Sequence, residues 1–438
     1  MIKHLRAVSR MLLSVLLLLS GCTADQPPFF SYTLQTYTSV IPESLHPHTR
    51  TADADYVASF MEMGFVIPGE DNEWQYEMAE SITDITGTYS DRDKWGIHEK
   101  DGRVFRITLN QNAAWSDGTP VTADTYINSM KQLLAPDKQY SRALPYTVGD
   151  AAIFRANDFR RSGEPVYAPC VAPYTEDELA DYSFDLEEND VFIHLTSRSM
   201  TLTDEYSIQD IYDAGYIDPA LYSRVSGQAD VYGYIPVTEK NEEDIHALAE
   251  RVLIFFGLRF HEDYYKEMLF CRTGEKHPSV PFTQVGLIKA GLYELTYITA
   301  EKIALEDFLS CMTVNWIVHP DGNGDSLTEH PSYGPYQLVE VHEDYLGYYR
   351  NSNWYGWSDG RHEGLYASEA VLCTVLSDEE AAELFERGKL DVFFNADEGT
   401  DKMSSRIIGG TDIRTIRYLY SDADWSEYIK ARGGYPYR

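Results

Sequence analysis

The spacing of apolar and polar positions along the 438-residue chain divides it into short strands and helices. Phe30 to Thr38 alternates with the two-residue period of a strand, and Asp55 to Phe65 carries the spacing of a helix. Ile97 to Leu109 is expected as a hairpin around Asp101-Gly102, a preferred two-residue turn. Ile127, Met130, Leu133 and Leu134 fall on one helical face behind a possible N-cap at Thr122. Asp124 suits the positive end of that helix and Pro136 stops it. A helix near 240–257 places Ile245, Leu248, Val252 and Phe255 on one stripe. Val285 to Ile298, turning near Ala290-Gly291, and Tyr336 to Arg350 are two further hairpins.

Near the C-terminus, Ser377 and Glu380 form a capping box for a helix to Arg387, with Gly388 at C′. Leu390 to Phe394 follows as a buried strand, giving a βαβ-like order, and Asp412 to Tyr420 is a later strand. Hairpins mixed with such units predict an α/β protein with mixed sheets, and the length calls for two or more domains.

The N-terminus carries Lys3, Arg6 and Arg10 ahead of an apolar run from Met11 to Leu19. That run falls short of the ~20 residues of a spanning helix and suits a signal peptide. Leu19-Ser20-Gly21-Cys22 then has the form of a lipobox, with Cys22 as the lipidated residue. Residues 1–21 are therefore expected to be the signal peptide and 22–29 the lipidated cysteine and a short tether. Two or three acyl chains give stable anchoring, placing the body on the extracellular or periplasmic face of the cell membrane.

With 70 acidic against 36 basic residues the net charge is −34, and loss of residues 1–21 makes it more negative. This excludes nucleic acid, whose phosphates need a basic surface. Cys170, Cys271, Cys311 and Cys373 show no CxxC spacing, which argues against a metal site. One or two disulfides or buried free thiols are both open. The chain lacks Gly-x-Ser-x-Gly, His-Glu-x-x-His and a phosphate-binding Gly loop, so neither an enzyme nor a cofactor is expected. His46 and His48 flank Pro47 without an identifiable third ligand. Asp321 to Asp325 starts like a calcium loop but has Ser326 and Ser332 where Gly and Glu are needed.

The segment Trp115-Ser116-Asp117-Gly118-Thr119-Pro120-Val121-Thr122-Ala123-Asp124 carries turn chemistry between a strand and a helix. Its wording closely resembles the signature of the extracellular solute-binding proteins of peptide-type (oligopeptide, dipeptide and nickel) ABC importers. Further segments are similar in the same order: Ser44-Leu45-His46-Pro47-His48, Met78-Ala79-Glu80-Ser81, Val104 to Leu109, Tyr333 to Leu338, Asn351 to Gly356 and Arg387 to Val392. His46 departs from the usual Asp or Asn, and the stretch 155–280 matches only loosely.

The resemblance implies a two-lobed periplasmic-binding-protein-like fold: lobe I with a subdomain over 30–330, and lobe II over 331–438. It implies a monomer that captures peptides in an interlobe cleft for ABC permease subunits. Family members continue well beyond the Gly388-Leu390 element, so lobe II is expected to be incomplete and the chain truncated. A non-transport interaction or signalling lipoprotein on the same fold, or a non-functional fragment, is the alternative. By position in the family pattern, Thr51 and Asp53 would face the ligand, Asp53 meeting an ammonium group. Tyr140 or Tyr146 would lie against ligand side chains.

Overall fold

The computed structural model describes residues 33–51, 53–68, 73–169, 191–196, 206–230, 232–257, 268–324, 326–362, 368–387, 389–395 and 402–405. The signal segment, Cys22, Cys170, Gly388 and the expected strand 412–420 lie outside these residues. Chain contacts divide the protein into two compact units. One comprises the chain up to Ile41, Tyr56–Met61 and the residues from Gly334 onward; the other comprises Pro42–Asp55 and Glu62–Tyr333.

The first unit is built on a four-stranded mixed sheet. Its strand order is Thr33–Thr38, Ala370–Val375, Tyr345–Arg350 and Tyr336–Val341. The first pair is parallel and the other two are antiparallel, the last being the expected hairpin. Alternation along these strands buries Leu34, Leu338, Leu346, Tyr348 and Val371. Tyr348 donates its hydroxyl to the Val57 carbonyl at 3.0 Å, and its ring lies 5.2 Å from that of Phe60. Elsewhere in this unit Tyr37 packs with Ala381 and Leu390.

Ser377 caps the helix Asp378–Glu386 by accepting from the Glu380 amide, while Glu380 reaches back to the Ser377 amide. The chain then returns beside the first strand, where the Asp391 amide donates to the Gln35 carbonyl at 2.8 Å. The following strand, Val392–Asn395, pairs antiparallel with Lys402–Ser405. Strand, helix and strand thus follow in the expected order.

The second unit holds a four-stranded sheet, ordered Leu287–Gly291, Glu294–Ile298, Val104–Leu109 and Ala79–Asp84, antiparallel throughout. Phe105 stacks on Phe308 of the helix Leu305–Cys311, with ring centroids 3.9 Å apart. A second sheet, ordered Pro165–Pro169, Phe270–Lys276, Val191–His194 and Tyr234–Pro236, has a separate core. Ile193, Ile211, Leu221 and Ile235 join the expected stripe of Ile245, Leu248 and Val252 there, with Phe255 packed against them.

Three expected elements differ. Residues 97–103 form no strand. Val104–Leu109 pairs instead with two strands distant in sequence, which buries Phe105 and Ile107 completely, and Gly102 serves only as the turn into the strand. The helix expected over Asp55 to Phe65 is Asp53–Ser59. Its end is followed by a close approach: a Cβ on Gly64 would stand 2.1 Å from the Thr313 carbonyl oxygen, so the backbone there can carry no side chain. In the helix Ala123–Leu133 the buried face centres on Tyr126, Met130 and Leu133, with Ile127 half-buried at its margin.

Candidate functional site: a signature turn and a polar cavity

The signature segment is a tightly closed turn. Asp117 accepts from the Thr119 amide at 2.8 Å and hydroxyl at 3.0 Å, and Gly118 takes a φ of 90°, a region glycine occupies without penalty. The Trp115 amide donates to the Thr119 carbonyl, and the Gly118 amide to that of Trp115, each at 2.8 Å. The Thr119 amide holds the Asp117 carboxyl below the usual carboxylate range, aided by the Thr119 hydroxyl and by His319, whose Nε2 lies 3.2 Å away.

Trp115 is 1% exposed and meets Tyr333 and His319 edge to face, at 4.8 and 5.1 Å between centroids. Ser116 exchanges two hydrogen bonds with Ser332: its amide to the Ser332 carbonyl at 2.7 Å, and the Ser332 amide to its hydroxyl at 3.2 Å. The signature's side chains thus serve to fasten the segment around Ser332 and Tyr333.

A second constellation grows from the loop before the helix Asp53–Ser59. Ser44 accepts the His46 amide at 3.0 Å, His46 Nδ1 accepts the His48 amide at 3.1 Å, and the His46 carbonyl takes the amides of Thr49 and Arg50. His48 is buried and its Nε2 donates to the Trp316 carbonyl at 2.8 Å. Burial lowers its pKa to about 4, so the ring is neutral at physiological pH. Burial, then the His330 charge, also lowers that of His46.

Arg50 binds Glu62 through both Nη atoms, at 2.6 and 2.8 Å, and Asp55 through Nε at 2.7 Å. Asp55 also accepts from Arg142 at 2.9 Å. Burial alone would raise the Glu62 pKa, but the Arg50 charge, the Arg50 hydrogen bonds and the nearby His330 bring it to about 2. His330 Nε2 lies 3.8 Å from Glu62.

Beside this network opens a cavity of about 400 Å³, whose lining includes Ser44, His46, Tyr140, Asn323, Ser326 and His330. That volume lies in the range of small-molecule sites. Tyr140 is half-buried, its ring centroid 5.8 Å from that of His48. Tyr146 belongs to the core, against Trp316 at 5.1 Å, and burial raises the pKa of its phenol. Thr51 is exposed and accepts the Ala54 amide with its carbonyl at 3.1 Å. Asp53 is the first residue of the helix, and its side chain lies outside those described. The structure therefore brings Tyr140 to the cavity, where Thr51 and Tyr146 are not among the lining residues.

Arg50, Asp55, Glu62, Arg142 and His330 were not singled out from the sequence. No local spacing marks them, since Arg142 and His330 reach the loop only through folding. His46 serves the loop's own hydrogen bonds, and His48 ties the loop to the Trp316 carbonyl. In the acidic loop, Asn323 Oδ1 accepts the His319 amide at 3.1 Å, while Asp325 lies outside the described residues. Cys271 is disulfide-bonded, whereas Cys311 and Cys373 are free thiols. Among the described residues, no group of three His, Cys, Asp or Glu side chains is placed to hold a metal ion, and no helix is long and apolar enough to cross a membrane.

Residues 73–191 match the family model described as bacterial extracellular solute-binding proteins, family 5 middle. The periplasmic oligopeptide-binding protein OppA of Salmonella typhimurium is 39% identical over 69 residues, which are 15% of this chain and 12% of that protein. Among solved structures, the Escherichia coli murein tripeptide binding protein MppA aligns with a TM-score of 0.45 at 14% identity, covering 83% of this chain and 45% of that one. Listeria monocytogenes OppA bound to peptide aligns at 0.44 with 11% identity, covering 83% and 46%. The chain thus spans just under half the length of these solved structures. Over residues 73–191, which include the signature turn, this chain is similar to the middle region of the family 5 bacterial extracellular solute-binding proteins, the family its sequence resembles.

Proposed function

We propose that this chain is the lipid-anchored substrate-binding component of an ABC importer, capturing peptides between two lobes for delivery to a permease. The observation that carries this reading is the family match over 73–191 around the closed turn Trp115–Thr119. The relative named as a periplasmic oligopeptide-binding protein supports peptides as the ligand class. Cys22 is the anchoring residue in this proposal, and the body works as a monomer on the outer face of the membrane. Binding, not bond-making, is its task.

A peptide would pair its backbone with protein main-chain groups, its side chains resting in hydrated pockets. We assign Thr51, Asp53 and Tyr140 to that ligand, with Tyr146 supporting the site from the core. The test is titration of the chain from Thr23 onward with a mixed peptide library, followed by tryptophan fluorescence and melting temperature. A ligand that binds the folded state raises the melting temperature saturably. Globomycin-sensitive lipid labelling that disappears in Cys22→Ser tests the anchor.

A further inference from the structure

The cavity beside Tyr140 is lined by polar groups whose accepting atoms are largely committed. Asn323 Oδ1 takes the His319 amide at 3.1 Å, which leaves the two N–H groups of its amide nitrogen to give. His46 Nδ1 takes the His48 amide at 3.1 Å, so the neutral ring carries its proton on Nε2. The Ser44 hydroxyl accepts the His46 amide at 3.0 Å and keeps its own proton to donate. Tyr140 adds a phenolic hydroxyl and an aromatic face. The nearby Glu62 carboxylate is matched by Arg50 through two hydrogen bonds, so it does not set the sign of the site. Glu43, at the lining, is solvent-exposed.

The donors of Asn323 and His46, with hydroxyls that can also donate, suit an acceptor-only group, and an ionised carboxylate offers that with two oxygens. We propose that this cavity is a binding site for a carboxylate group, held by the Asn323 amide, the His46 imidazole and the hydroxyls of Ser44 and Tyr140. The carboxylate belongs either to a small free acid or to an acidic side chain of a peptide. All the lining residues lie in one compact unit, so the site stands whether or not the chain transports peptides.

The test is calorimetric titration of the full chain with four probes. These are succinate, its neutral analogue succinamide, and the capped tripeptides acetyl-Ala-Glu-Ala-amide and acetyl-Ala-Gln-Ala-amide. Saturable binding of succinate assigns a free acid, and binding of the Glu peptide alone assigns an acidic side chain. In either case the neutral counterpart should bind at least about tenfold more weakly, the worth of one hydrogen bond to a charged group.

Asn323→Asp keeps the oxygen that serves His319 and replaces the donating nitrogen by a second oxygen. It should weaken the carboxylate probe at least about tenfold while leaving the melting midpoint of the free protein unchanged. If that variant does not fold, Tyr140→Phe serves instead, with a weakening of a few-fold. The proposal is overturned if no carboxylate probe binds saturably, if the neutral probes bind as tightly, or if the variant that folds keeps full affinity.

Discussion

Arg50 and Glu62 form a two-pronged ion pair, at 2.6 and 2.8 Å, with both side chains at least nine-tenths buried. Such a pair repays its desolvation only when both charges are present. Glu62→Gln therefore strands a buried guanidinium that Asp55 only partly answers, and should destabilise the protein by about 3 kcal/mol. Urea unfolding of the variant measures this. A loss below about 1 kcal/mol would mean that the pair is not buried as described.

His48 sets the acid side of the stability profile. Its folded pKa is about 4 against an ordinary 6.5, so the unfolded chain binds the proton first as pH falls. Its contribution is complete above pH 6.5 and is lost as pH drops toward 4, by about 3 kcal/mol in all. Glu62, at about 2, begins to lose its own contribution only as pH falls through 4.5, so the interval above that belongs to the histidines shifted by burial, with His46 and His194 lowered in the same direction as His48. His48→Gln keeps an N–H for the Trp316 carbonyl and should flatten the slope of stability between pH 6.5 and 5. An unchanged slope would place the titrating group elsewhere.

The signature turn needs the left-handed backbone at Gly118, whose φ is 90°. Gly118→Ala should cost about 1–2 kcal/mol through strain alone. Trp115→Ala removes a fully buried indole from between Tyr333 and His319 and should cost about 3–5 kcal/mol. Differential scanning calorimetry of the two variants ranks these losses, and the reverse order would contradict the packing described.

Asp391 closes the edge of the first strand. Its carboxylate accepts the Gln35 amide at 2.7 Å while its own amide serves the Gln35 carbonyl. Asp391→Ala leaves that strand amide without its acceptor and should cost about 1–2 kcal/mol. Hydrogen exchange at Gln35 should accelerate in the variant, and unchanged protection would show that the carboxylate does not matter there.

Much of this architecture was legible before folding because its signals are local. The capping box of Ser377 and Glu380, the hairpin Tyr336–Arg350 and the stripe of Ile245, Leu248 and Val252 each declare themselves within a few residues. What escaped depends on distant partners. Val104–Leu109 could not announce that Ala79–Asp84 and Glu294–Ile298 would flank it, so a local hairpin looked sufficient. That the chain is not helical at Gly64 was equally hidden, because the close approach there involves Thr313. In the candidate site, Tyr140 was visible through its position after the signature helix. Arg50 and Glu62 carry no local signal, and only the fold makes them a buried pair.

The central claim is peptide capture, and the most direct measurement is a thermal shift and tryptophan-fluorescence titration of the chain from Thr23 onward with a mixed peptide library. The account predicts a cooperative melt whose midpoint rises saturably with peptide, together with a saturable change in fluorescence. A cooperative melt with no shift at any peptide concentration would contradict it and favour an interaction role without transport.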